Sequence, residues 1–270
     1  MSLDLDPRQR AMLQEMGLRI WLPERLIDAI KVEAANAVDT GATAKNYPVV
    51  EAPHGDLAAP ALPDFEGAGL DWPALAHAVA GCLACKLCSG RRAPVFAGGA
   101  ALACADWLLV GEPPDENEER LGAPFAEQAG QLLDNMLKAL GLRRQGGGGA
   151  TSSAAYVTNV VKCRPALARN PEPLELATCA RYLQREVALV QPKVIVAMGR
   201  FAAQALLQDT VPEVAAIPLG KLRGQLYRYQ GVPVIVTYHP SYLLRSQHDK
   251  ARAWADLCLA QEAAQSAAPR

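Results

Sequence analysis

The sequence predicts an α/β fold, a three-layer αβα sandwich with a central, mainly parallel sheet, preceded by an N-terminal helical peptide and a linker. Short apolar runs alternate with segments of helical periodicity through most of the second half of the chain. Runs such as KVIVAMG are apolar at almost every position, which is typical of parallel strands buried on both faces. Of the 270 residues, 50% are hydrophobic, so the chain can supply a large core.

The predicted strands and helices follow one another in a regular order. Strands are expected over ADWLLVGE, AYVTNVVKC, KVIVAMG and PVIVTYHP, with a ribbon around KLRGQLYRYQGV. Helices are expected over AEQAGQLLDNMLKALG, PLELATCARYLQREVALV and RFAAQALLQ, and from about residue 247 to 263. Functional groups of a parallel sheet gather at the carboxyl ends of its strands. Here those ends read GEPPDENEER, NVVKCRP, GR and YHPSYLLR.

Four segments are expected along the chain. The stretch after the first helices contains Gly, Ala, Pro and scattered charge without a sustained period, which is typical of a linker. The predicted segments are an N-terminal helical, partner-binding segment at 1–35, a flexible linker at 36–69, a compact domain at 70–263 and a tail at 264–270.

Charge and hydropathy limit the classes of function. The chain has 27 Lys and Arg against 28 Asp and Glu, so its overall charge does not by itself indicate nucleic-acid binding. No apolar run approaches the roughly 20 residues that cross a bilayer. The N-terminus lacks the basic start and hydrophobic segment of a signal peptide. We therefore expect a cytoplasmic, monomeric protein that does not contact a membrane.

Seven cysteines in a cytoplasmic chain indicate a metal site, a cluster or core packing rather than disulfides. Cys82, Cys85 and Cys88 are crowded into GCLACKLCSGRR, whereas Cys163 and Cys179 lie far downstream. Four thiolates suit a zinc ion and an iron–sulfur cluster equally well, so the spacing leaves both possibilities open.

Taken in chain order, the strand ends and the cysteines resemble the family 4 uracil-DNA glycosylases, the iron–sulfur branch of that superfamily. The resemblance covers roughly 75–260 and rests on CLACKLCSGR, VGE-P, GAPFAEQAGQLLDNML, TNVVKCRP, a second cysteine sixteen residues beyond Cys163, KLRG and TYHPSYLLR. It implies base excision repair by hydrolysis of the N-glycosidic bond of uracil in DNA. It also implies a 4Fe-4S cluster, with Cys88 as a bystander and four ligands at the matching positions: Cys82, Cys85, Cys163 and Cys179.

The same match implies roles at the base. His239 would donate a hydrogen bond to a uracil carbonyl oxygen as negative charge builds up on the departing base. Glu112 would orient the base or a water molecule. Phe125 would stack on the flipped uracil, and Asn159 would read its polar edge with an amide that both donates and accepts. Gly111 belongs to the same substrate-binding motif.

The resemblance further implies a DNA-binding surface. Leu243 and Leu244 would sit in or against the base stack, where apolar side chains can fill the space of an extruded nucleotide. The other DNA contacts are expected from basic and polar side chains: Arg91, Lys162, Arg164, Arg223, Ser241 and Arg245.

Two loops depart from the family pattern. The first motif usually reads G-E-G/A-P-G, and here Asp115 replaces the closing glycine, which adds bulk and negative charge near phosphates. After Cys163 the family tends to have a second proline and an asparagine, where this chain has Ala166, Leu167 and Ala168. These departures predict weakened turnover. The alternative is a catalytically degenerate replisome accessory that keeps the fold and the cluster.

The N-terminal stretch RQRAMLQEMGLRIW resembles the N-terminal peptide of the psi subunit of the DNA polymerase III clamp loader, which binds the chi subunit. An apolar peptide on a long linker is typical of a tethered partner-binding segment. We therefore expect it to bind the chi subunit through Leu13, Met16 and Trp21. A helix that docks on its own domain is the alternative.

Overall fold

The structure is a computed structural model that describes residues 69–96, 105–144 and 154–267. All of these residues fall within one compact unit, Val49–Arg270. The predicted partner-binding residues Leu13, Met16 and Trp21 and nearly all of the predicted linker lie outside the described residues. Binding of the chi subunit therefore stays a prediction.

A six-stranded sheet forms the centre of the described residues, in the order β2-β3-β1-β4-β6-β5. Every neighbouring pair is parallel except β5 and β6, which form an antiparallel hairpin. The predicted, mainly parallel α/β sheet is confirmed. The strands are β1 Trp107–Gly111, β2 Arg143–Arg144, β3 Ala154–Asn159, β4 Val194–Met198, β5 Leu226–Tyr229 and β6 Val232–Thr237.

Helices connect the strands close to the predicted positions. The strand predicted over AYVTNVVKC is shorter than expected, because the chain leaves the sheet after Asn159 and carries Cys163 toward α4. The helices in the described part are α1 Trp72–Ala80, α2 Glu116–Leu121, α3 Glu127–Ala139, α4 Pro173–Val190, α5 Arg200–Leu207, α6 Leu219–Leu222, α7 Pro240–Arg245 and α8 Lys250–Ser266.

Helices cover both faces of the sheet, as a three-layer sandwich requires. Alternate residues of a strand point to opposite faces. On one face Leu108 and Val110 of β1 join a core formed with α1, α4 and α5. On the other face α8 contacts β4 and β6, and its Trp254 is fully buried. The central strands are therefore apolar on both sides, which explains their continuous hydrophobic runs.

Local sequence sets the helix ends that matter for the site. Asp115 caps α2, accepting from the amides of Asn117 and Glu118, and Glu118 reaches back to the Asp115 amide in a capping box. Pro173 occupies the first turn of α4, where its missing N–H is not needed.

In the described ranges, no helix combines the length and the apolar character that a membrane-spanning segment needs.

Candidate active site

The carboxyl ends of β1, β3 and β6 bring the predicted base-binding residues together. In the sheet, β1 lies between β3 and β4, so the chain connections on its two sides run in opposite directions. Ligands of open α/β sheets bind at such a switch point. Gly111 ends β1, Asn159 ends β3, and His239 follows β6 by two residues.

Phe125 and His239 form the wall of the site. Their rings stack with centroids 5.1 Å apart and an interplanar angle of 24°. The Phe125 ring is only 2% exposed. A side chain at Gly111 would collide with this pair, because an added Cβ would lie 2.6 Å from Phe125 Cζ and 3.4 Å from His239 Nε2. The strand end therefore requires glycine to let the two rings approach.

Phe125 has a φ of 53°, an uncommon value for a bulky residue. Two residues that the sequence analysis missed hold it there. The Phe125 amide donates to Glu118 Oε1 at 2.5 Å, and its carbonyl accepts from Arg144 Nη1 at 2.8 Å. Arg144 is itself clamped by both oxygens of Asp134. The D-x-x-E capping box at 115–118 was the sequence feature that could have pointed to Glu118.

His239 is a neutral hydrogen-bond donor facing this space. Its Nδ1 accepts from the Ser241 amide at 3.3 Å and lies 2.7 Å from Ser241 Oγ. Burial, with a smaller effect of Arg245, lowers the His239 pKa from 6.5 to about 4. Because Nδ1 is the acceptor in the neutral ring, the proton lies on Nε2. That buried Nε2 has no hydrogen-bond partner among the described residues.

Asn159, which pairs in register with Gly111 at the end of the sheet, carries a free acceptor. Its Nδ2 donates to the Glu112 carbonyl at 2.9 Å and to Glu118 Oε1 at 3.2 Å, which uses both amide hydrogens. Its Oδ1 is buried and has no partner in the part of the chain described. Toward a bound base this amide can therefore only accept a hydrogen bond, whereas the sequence analysis expected it both to donate and to accept.

The Glu112 carboxylate lies at the start of α5. It accepts from the Phe201 amide at 2.8 Å. Burial raises its pKa from 4.5 to about 7, although the amides of Phe201 and Ala202 and the charge of Arg200 oppose the shift. Glu112 therefore changes charge near neutral pH, as a group that orients water or acts as a base requires.

Two of the predicted DNA contacts are buried in the structure. Lys162 is 1% exposed and pairs with Glu186, so its charge does not reach solvent. Leu243 is 0% exposed because this face of α7 packs on α3. Leu244, at 38% exposed, is the leucine of this pair that can meet DNA.

The other predicted DNA contacts have protein partners or lie open. Arg164 donates to Glu119 at 2.9 Å and Arg223 donates to Asp256 at 2.7 Å. Ser241 supports His239 as described, and Arg245 is exposed at the end of α7.

The four cysteines implied as cluster ligands line one cavity. Arg91, predicted as a DNA contact, donates to Cys163 Sγ at 2.9 Å, and the Lys162 amide donates to Cys179 Sγ at 3.3 Å. Donors of this kind stabilise thiolates. Cys88 does not line the cavity. The lining cysteines are Cys82, Cys85, Cys163 and Cys179.

Burial affects the thiols that line this cavity. Across 69–96, 105–144 and 154–267, no three His, Cys, Asp or Glu side chains converge as a group that could hold a metal ion. Burial raises the pKa of the Cys179 thiol to about 12. It also raises the pKa of the Cys163 thiol, although the hydrogen bond and the charge of Arg91 oppose that rise. Neutral, buried thiols of this kind would lose their protons on binding metal.

Comparison with known proteins decides the family. The family model of the uracil DNA glycosylase superfamily matches residues 102–258, more than half of the chain. The chain belongs to the uracil-DNA glycosylase superfamily. Gly111, Phe125, Asn159 and His239 of this superfamily member all lie within the matched range.

Its relatives include several proteins named type-4 uracil-DNA glycosylase. The one from Archaeoglobus fulgidus is 35% identical over 167 residues, which are 60% of this chain and 79% of that protein. The one from Sulfurisphaera tokodaii is 37% identical over 171 residues, 62% of this chain and 72% of that protein. The one from Thermotoga maritima is 37% identical over 146 residues, 54% of this chain and 69% of that protein.

Proposed function

We propose that this protein hydrolyses the N-glycosidic bond of uracil in DNA and acts in base excision repair in the cytoplasm. The observation that carries the proposal is a pair of buried, unpartnered groups, the Nε2–H of His239 and Oδ1 of Asn159, beside the ring of Phe125. A buried donor and a buried acceptor without partners are costly, and a bound base would satisfy both.

Uracil matches this donor and acceptor. Its N3–H would donate to Asn159 Oδ1, and a carbonyl oxygen would accept from His239 Nε2. Cytosine has an acceptor at N3, so two acceptors would face each other and one buried group would stay unpaired. Because both Asn159 amide hydrogens are held by Glu112 and Glu118, the side chain cannot flip to suit cytosine without losing those bonds.

The same groups support bond cleavage. As the bond between C1′ and N1 breaks, its electron pair moves onto the base, and the His239 Nε2–H stabilises the carbonyl oxygen that gains the charge. A neutral imidazole suits this role because its proton is already on Nε2. Glu112, whose carboxylate forms as the pH passes about 7, orients the water whose oxygen forms the new bond to C1′ and accepts the proton that this water loses.

We also propose that Cys82, Cys85, Cys163 and Cys179 hold a 4Fe-4S cluster. The shared cavity and the donors to Cys163 Sγ and Cys179 Sγ support this assignment. When bound, the cluster would supply a structural cross-link between the loop after α1, the loop after β3 and α4. Arg91 would then neutralise cluster charge rather than bind phosphate.

Metal content tests the cluster. Anaerobically purified protein should be brown and contain about four irons per chain. Cys179→Ala should lose most of the iron, whereas Cys88→Ala, which alters a cysteine outside the cavity, should keep it. Colourless protein with stoichiometric zinc would overturn the cluster assignment.

The relatives favour a glycosylase over a catalytically degenerate accessory. Weakened turnover stays a prediction from the two unusual loops. Asp115 gives less reason to expect it than the sequence suggested, because its carboxylate caps α2.

The activity is tested by incubating an excess of the full-length protein with single- and double-stranded oligonucleotides that contain uracil, cytosine or thymine at one position. We expect release of uracil alone. His239→Ala should lower the rate by about 10² to 10³, the usual loss of an anion-stabilising donor. His248→Ala, at an exposed position, is the matched control. No uracil release from either substrate would contradict the proposal.

A further inference from the structure

A buried ion pair lies between the cysteine cavity and the uracil site. Lys162 and Glu186 are 1% and 0% exposed, and Lys162 Nζ lies 2.6 Å from Glu186 Oε2. Burying two charges has a large desolvation cost, and well-packed apolar residues are often at least as stabilising. Stability alone therefore does not explain the pair at this position.

The Lys162 ammonium has three acceptors, which use all of its hydrogens. Besides Glu186, Nζ donates to Thr158 Oγ1 at 2.6 Å and to the Asn159 carbonyl oxygen at 2.9 Å. The second oxygen of Glu186 accepts from Tyr156 Oη at 2.8 Å and from Thr158 Oγ1 at 2.9 Å. A buried network in which the charged groups are satisfied favours one geometry. The network therefore holds the carbonyl group of Asn159 in place.

The main chain of Lys162 faces the cysteine cavity. Its amide donates to Cys179 Sγ, and Cys163 is the next residue. Cys179 and Glu186 are seven positions apart on α4, which places them on the same face of the helix. Helix α4 therefore holds Lys162 at two points, through Cys179 at the amide and through Glu186 at the ammonium.

We propose that Lys162 is a positioning residue for uracil recognition. Its ammonium fixes the Asn159 carbonyl and so keeps Asn159 Oδ1 aimed at the base, whereas Glu186 neutralises the charge of that buried ammonium. This inference rests on the proposed function, because it assigns Asn159 to uracil. The Asn159 side chain is held by Glu112 and Glu118, so Lys162 supplies the matching support on the main-chain side.

The decisive variant is Lys162→Met/Glu186→Gln, which removes both charges together and leaves no unpaired ion in the interior. We expect it to fold and to keep its iron. The dissociation constant for free uracil, measured by calorimetry on the full-length iron-loaded protein, should rise about tenfold, equivalent to one hydrogen bond to a charged group.

A second ion pair of the same sheet provides the matched control. Lys193 and Asp106 lie at the amino ends of β4 and β1, at the opposite end of these strands from the site, with Nζ 3.1 Å from Oδ2. Lys193→Met/Asp106→Asn should leave uracil affinity unchanged.

Glu186→Gln alone distinguishes an effect on the position of Asn159 from a general loss of stability. It leaves the ammonium without its counter-ion, so the melting temperature should fall further than in the double variant. It keeps the bond from Nζ to the Asn159 carbonyl, so uracil affinity should stay near the wild-type value.

Either of two results would overturn the inference: wild-type uracil affinity in the double variant, or equal loss of affinity in Glu186→Gln and the double variant. If the double variant does not fold, Glu186→Gln decides alone, and a tenfold loss of uracil affinity there overturns the inference. Wild-type protein that neither binds nor releases uracil would overturn the proposed function itself. Wild-type protein that is active, with an unaffected double variant, overturns only the role of Lys162.

Discussion

Replacing Gly111 with alanine would place a methyl group between β1 and the stacked rings of Phe125 and His239. The added Cβ would lie 2.6 Å from Phe125 Cζ and 3.0 Å from Cε2, whereas ordinary contacts are 3.4–4 Å. The ring therefore has to retreat by roughly 1 Å, a displacement that can lower a rate about 10²-fold at a reacting centre. It cannot swing freely, because Glu118 and Arg144 hold the Phe125 main chain.

We expect Gly111→Ala to lower the rate of uracil release about 10²-fold under enzyme excess and to lower stability by about 1–3 kcal/mol, the usual range for overpacking. Iron content should not change, because the cysteine cavity does not include Gly111. Gly220→Ala is the control, since its Cβ would meet only Tyr238 Oη, at 3.8 Å. Wild-type rate and melting temperature in Gly111→Ala would refute the tight packing at this strand end.

Three further predictions follow from single groups. Uracil release should rise as the pH passes through about 7, where Glu112 ionises, and Glu112→Gln should flatten that step in a pH–rate profile. The His239 pKa is lowered from 6.5 to about 4 in the folded protein. As the pH falls from 6.5 to 4, the unfolded chain therefore binds the proton before the folded one does, and the free energy of unfolding falls. His239→Ala should make the melting temperature less dependent on pH in this range. Leu167 is 98% exposed and has a φ of 55°, a left-handed conformation that glycine adopts without strain. Leu167→Gly should therefore raise the free energy of unfolding by up to about 1 kcal/mol in denaturant titrations. Leu174→Gly, within α4, is the control and should lower it by about the same amount, because glycine disfavours a helix.

The sequence was sufficient to predict the sheet and to predict that Gly111, Asn159 and His239 lie at the carboxyl ends of its strands. Runs such as KVIVAMG are apolar throughout because both faces of the central strands are covered by helices. Once the strands are parallel, Gly111, Asn159 and His239 must meet, since each lies at or just beyond the carboxyl end of its strand. Local periodicity and chain direction contain this information.

The sequence did not reveal that two of the predicted DNA contacts, Lys162 and Leu243, are buried, because their burial depends on distant partners. A lysine beside a cysteine and an arginine resembles a DNA contact, and only Glu186, 24 positions further along, makes its burial possible. Leu243 and Leu244 are identical in hydropathy, and the packing of α7 on α3 decides which of them is covered. Tertiary contacts of this kind leave no local pattern in the chain.

Asp115 shows how a departure from a family pattern can support the same site. Read alone, an aspartate in place of glycine adds charge and bulk beside nucleic acid. In the fold, its carboxylate accepts two amides at the start of α2, and its own amide donates to Glu118 Oε2 at 2.8 Å. Glu118 Oε1 in turn accepts from the Phe125 amide and from Asn159 Nδ2, so the cap fixes the carboxylate that holds both proposed base-binding residues. Substitution of Asp115 should therefore disturb uracil recognition through Glu118, even though Asp115 itself need not touch the base.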